Sequence, residues 1–234
     1  MATNLKSSTD MQLSSQDSLA SQASASFMSK TFSFFGLAIL VSALGVYTGF
    51  NFLLNTFLVT PGLMMGIFIA EIILIFTSGW WSKKEPLGYF LFSLFAFLSG
   101  LTLVPLLLNV AAEFGSFDLI YRALFATTAM FFGMGVIGYK MEKPILGLSG
   151  FLTMALIGML ITGLLGIFFP WGNTGEMLYS GFGIVLFAAY AMVDVQRLKM
   201  SQQGSPMMAA MNLYLDIVNL FIFVLRFLSA RSRD

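Results

Sequence analysis

The chain contains no cysteine and no histidine. The first absence excludes disulfides, thiolate metal centres and thiol catalysis, and leaves the redox compartment undetermined. The second removes the side chain that titrates nearest neutrality and supplies most general bases, so a pH response has to fall to carboxyl groups. Charge is scarce too: charged residues make up 10% of 234, with a formal net charge of +1. No bulk electrostatic argument therefore points to nucleic acid or an acidic substrate. No motif asks for a bound cofactor.

What fills the space is apolar. The chain is 58% hydrophobic and carries 26 Phe against 12 Lys+Arg, proportions that a water-soluble domain could not hide from solvent. The fold class is all-α integral membrane, and the lipid bilayer is the first partner. Windows of membrane length give seven spans, roughly 31–54, 62–81, 87–109, 119–139, 145–169, 177–196 and 208–228. Each reaches the ~20 residues that a helix needs to cross the hydrocarbon. The connections are short, so successive spans are expected to pair as antiparallel hairpins. Residues 28–230 form the transmembrane domain. Residues 1–27, rich in serine and without apolar period, are expected to be a flexible tail, and 231–234 a short basic end. A cleavable signal peptide is not expected, because the first apolar run is too long for one. No internal repeat supports an inverted-repeat transporter.

Basic residues set the orientation. Lys6, Lys30, Lys83, Lys84, Lys140, Lys143, Arg197 and Lys199 fall on one side, which the positive-inside rule makes cytoplasmic, the N-terminus with it. Arg122, Arg226, Arg231 and Arg233 fall on the other. Those C-terminal arginines leave open a last segment that does not fully cross. Gly133, Gly135 and Gly138, with Gly158, Gly163 and Gly166, are candidates for close helix approach. Trp80, Trp81 and Trp171 near span ends read as interface anchors.

Three acids stand within spans: Glu71, Asp194 and Asp216. A charge near mid-membrane costs at least ~2.5–3.5 kcal/mol even on the lenient insertion scales, so each needs a reason. Tyr190, Asp194 and Arg197 share one helical face. Asn212, Asp216, Asn219 and Arg226 share another, a polar stripe that belongs in the bundle interior or beside water. Asp216 lies ~12 Å into the last span at 1.5 Å per residue, a depth at which it can meet Asp194 across the hairpin. Two carboxyls in hydrogen-bond reach cannot both ionise cheaply and share a proton over part of the pH range. Such a pair is either a proton-controlled latch between two helices or a structural tie in which each acid is held separately. Glu71, near mid-membrane, has Arg226 as its expected counter-charge if the arginine stem bends inward.

AYAMVDVQRL at 189–198 and NLYLDIVNLFIFVLRFLS at 212–229, with FIAEIILIF in the second span and KTFSFFGLAILVSALGVYTG in the first, resemble the bacterial branch of the Bax inhibitor-1 family. The resemblance implies seven helices with the last one central, surrounded by the other six, and a pH-sensitive leak of calcium down its gradient. It implies Asp194 and Asp216 as the proton-sharing pair, and Glu71 with Arg226 as a second contact on the central helix; by their own chemistry Asp194 and Asp216, with Asn212, Asn219, carbonyls and water, supply only a loose, transient calcium site. The resemblance also implies a bacterial inner membrane. Where some relatives place an arginine at the end of the second span, this chain has Ser82, followed by Lys83 and Lys84, which cannot fork onto a carboxylate. The alternative is a non-transporting modulator of a membrane-anchored AAA protease, with the N-terminal tail presented to it. An enzymatic role is not expected. Leu213, Tyr214 and Leu215 before Asp216 lack the glycine of intramembrane aspartyl proteases, and GLSG at 147–150 has no histidine to serve as its base.

Overall fold

The computed structural model describes residues 2–145, 147–200 and 205–233. The regular structure of the described residues is entirely helical, without a strand. This is what lipid enforces, since a helix satisfies its backbone groups within itself. The helices are α1 (Ala2–Thr48), α2 (Leu54–Val59), α3 (Pro61–Trp81), α4 (Leu87–Phe114), α5 (Asp118–Lys140), α6 (Leu148–Phe168), α7 (Gly172–Lys199) and α8 (Pro206–Arg231). A π-helical turn, Gly49–Leu53, joins α1 to α2. Seven of these segments are long and apolar enough to cross a membrane, at the places the hydropathy predicts.

The start of the chain departs from expectation. Residues 2–27 continue α1 instead of forming a tail without regular structure. No Gly or Pro occurs before Gly36. Once the apolar part of α1 is helical, each residue added upstream needs only propagation and not a new nucleus.

The last helix is central. α8 packs on α1, α4, α5 and α7, while α3 leans on α4 and α6 on α7. The ring around it is thus four helices with two outside, where the resemblance implies all six. The outer helices face lipid with Phe76, Met154, Leu160 and Phe168. Leu213, Tyr214, Leu220 and Leu225 of α8 are completely buried. α8 also runs the full length of the bundle. It begins with Pro206 at the first helical position, Ser205 capping Met208 N–H at 3.1 Å. At its far end Asn173 of the α7 start donates to Ala230 O at 2.8 Å, and Arg233 forks onto Glu113 at the end of α4, with Nη2 to Oε2 at 2.6 Å. The last segment is therefore one continuous helix, long and apolar enough to cross a membrane. Two of its terminal arginines are held there by acids, Arg226 by Glu176 and Arg233 by Glu113.

Glycine decides how close the helices come, but mostly not the glycines the sequence singled out. A Cβ on Gly45 or Gly100 would collide with the facing backbone of α4 or α1, and one on Gly138 with Met192 O of α7. Gly133 and Gly158 face open space, and Gly135 meets only Val195 Cγ2 at 3.5 Å. Gly163 and Gly166 receive Tyr179 and Trp171 side chains instead of a backbone.

Candidate functional site

The α7–α8 hairpin brings Asp194 and Asp216 to one buried place. Both carboxylates are away from lipid, at 7% and 5% exposure. Each carboxyl lies within the electrostatic reach of the other, and Arg197 acts on both. Their roles differ. Asp194 Oδ1 accepts from Arg197 Nη1 at 2.9 Å, one helical turn away, and Arg197 Nη2 continues to Ser149 Oγ of α6 at 2.6 Å. Asp216 Oδ2 is buried with no hydrogen-bond partner among the described residues. Tyr190, one turn before Asp194, stands beside Thr153 of α6 and within the field of both carboxyls. One arginine thus serves two acids, and one acid oxygen is left over. A proton between the carboxyls, or a cation, would meet the unmatched charge.

The amide stripe does less than its spacing suggests. Asn219 turns back on its own helix, donating to Leu215 O at 2.7 Å, so it does not hold Asp216. Asn212 is half-buried one turn before Asp216. Among the described residues no three His, Cys, Asp or Glu side chains converge. Two carboxylates fall short of the 6–8 oxygens of a tight calcium site.

Sequence reasoning passed over Gln196, which is completely buried beside the pair. Its Oε1 accepts from Ile145 N–H at 2.8 Å and its Nε2 donates to Lys143 O at 2.9 Å. This clamp fixes the α5–α6 connection against α7. The signal was available: a glutamine between Val195 and Arg197 on a helix otherwise apolar needed a partner.

The second predicted contact is redistributed. Arg226 does not go to Glu71 but to Glu176 of α7, with Nε to Oε1 at 2.6 Å and Nη2 to Oε2 at 3.1 Å. Its guanidinium also lies 5.3 Å from the Tyr179 ring centroid. The physical reason is position. Arg226 is near the far end of α8 and Glu176 in the first turns of α7, so a planar fork is satisfied there without bending a long stem inward. Glu71, buried in the middle of α3, instead lies 3.1 Å from Thr102 Oγ1 of α4, whose single proton is shared between the carboxylate and Ser99 O at 2.9 Å. Beyond it lies Tyr214 of α8, completely buried. Its ring is edge-on to Phe95 at 5.6 Å and its hydroxyl near Ser42 and Ser99. The central helix therefore carries two polar faces, Asp216 toward α7 and Tyr214 toward α1 and α4.

The family profile described as inhibitor of apoptosis-promoting Bax1 matches residues 24–233. An uncharacterized protein of Helicobacter pylori is 34% identical over 209 residues, covering 88% of this chain and 87% of its own. One of Campylobacter jejuni is 31% identical over 202 residues, 86% of this chain and 87% of its own. An uncharacterized membrane protein of Streptococcus pyogenes is 31% identical over 202 residues, 82% of this chain and 85% of its own.

Proposed function

Because the chain belongs to the Bax inhibitor-1 family, we propose that it is a pH-sensitive calcium leak of a bacterial inner membrane, its N-terminus cytoplasmic, gated by Asp194 and Asp216. The observation that carries this reading is the buried Asp216 Oδ2, without a partner, in the field of an aspartate whose own partner is a shared arginine. A proton between the two carboxyls ties α7 to α8. Its departure leaves two negative charges facing one guanidinium in a low-dielectric site, where repulsion is strong. The strain falls on the helix that four others pack against, so a small movement of α8 loosens the whole bundle. Calcium passing the opened site meets carboxylate oxygens that bind it too loosely to block exit.

The test is calcium flux into liposomes holding the purified full chain, across a pH series. Flux that varies with pH in the native protein and is flat in Asp216→Asn is expected. Flux equal to protein-free vesicles at every pH refutes the leak.

A second reading, modulation of a membrane-anchored AAA protease, is favoured by one feature. Residues 2–20 of α1 continue as helix upstream of the first span, a segment that could be presented to a partner. On this reading deletion of residues 1–27 changes turnover of membrane substrates and leaves ion flux intact. Unchanged turnover removes it.

A further inference from the structure

At the lysine-rich end of the bundle a cleft of about 580 Å³ opens between the upstream part of α1, the α3–α4 connection and the start of α8. It is separated from the aspartate pair: neither carboxylate lines it. Besides Glu85 and Tyr89, its polar wall is made by Ser29, Lys30, Ser33, Ser82, Lys83 and Ser205.

Several features of this wall agree on the sign and kind of ligand. Lys30 and Lys83 are strong donors and cationic. The start of α8, a 26-residue helix, brings the positive end of its dipole to the same place. Ser82 is 6% exposed and its Oγ has no hydrogen-bond partner among the described residues, an arrangement that is costly unless a ligand or water answers it. The acid in the wall, Glu85, accepts from Tyr89 O–H at 2.6 Å. Lys84 does not line the cleft, its ammonium lying 3.6 Å from the Trp80 ring centroid. Two lysines and a helix N-terminus thus line the cleft against a single acid.

We propose that this cleft binds a phosphate group, with Lys30 and Lys83 supplying charge, Ser82 a hydrogen bond and the α8 N-terminus the dipole. The tetrahedral anion suits the set because its oxygens accept from several convergent donors at once, whereas a carboxylate has only two. The group has two chemical sources at this depth, the headgroup of an anionic phospholipid and a soluble phosphate compound.

The experiment is native mass spectrometry of the purified full chain, titrated with phosphatidic acid, with phosphatidylcholine and with inorganic phosphate. Retention of phosphatidic acid well above phosphatidylcholine identifies the headgroup. Retention of inorganic phosphate, competing with the lipid, identifies a soluble anion. In either case Lys83→Gln and Ser82→Ala should each weaken retention by about tenfold, as expected for lost charge-assisted hydrogen bonds. Lys140→Gln, outside the cleft, should leave it unchanged. Ser82→Ala removes a single oxygen, and size-exclusion elution and thermal unfolding check that the fold is kept. No retention of either probe, or equal loss in Lys140→Gln, overturns the site.

Discussion

Arg226 of α8 grips Glu176 of α7 through two hydrogen bonds, Nε to Oε1 at 2.6 Å and Nη2 to Oε2 at 3.1 Å. The fork fastens the far end of the hairpin whose other half holds the aspartates.

Removing either partner of this fork should lower stability by about 1–3 kcal/mol, less than the cost for a fully buried pair because both side chains keep some solvent contact. Thermal unfolding of the detergent-solubilised protein measures it. A double-mutant cycle should give coupling between Glu176→Gln and Arg226→Gln and none between Glu71→Gln and Arg226→Gln. Coupling to Glu71 of equal size would return the arginine to the acid of the second span.

Asp194→Asn and Asp216→Asn should each flatten the pH dependence of calcium flux, and the double variant should add nothing to either. The reason is that a shared proton belongs to the pair and not to one residue. Independent, additive effects in the liposome assay would mean two separate titrations and no latch.

Gly100→Ala and Gly138→Ala should each cost about 1–3 kcal/mol by overpacking, because the new methyl meets backbone that cannot rotate away. Gly133→Ala, which faces open space, should be neutral or slightly stabilising, alanine being the better helix former. Unfolding temperatures of the three variants in one detergent decide the matter. A loss at Gly133 as large as at Gly100 would contradict the packing.

Gln196→Ala should strand Ile145 N–H and Lys143 C=O, at about 1–3 kcal/mol for a buried group left unpaired. Hydrogen exchange at Ile145 should quicken before the rest of the helices are affected. Gln196→Glu keeps the acceptor and should leave Ile145 more protected than the alanine variant does.

Hydropathy alone determined the number and order of the spans. A crossing helix must be apolar over a fixed length, and that requirement is written residue by residue. The placing of Asp194 and Asp216 on one hairpin was legible for a related reason: a short connection and helical periodicity bring their depths together. Partner choice was not legible. Arg226 could reach several acids by stem length, and only the packing of α7 against α8 put Glu176 within its fork. Gly45 and Gly100 look no different in sequence from Gly133 and Gly158. Which glycines carry a contact depends on the rotation of each helix about its axis, which is set by its neighbours. The chain by itself thus established a seven-span bundle with misplaced acids. Tertiary structure decided which charges answer one another, because electrostatic pairing falls off over a few ångströms while sequence spacing fixes position only along a helix.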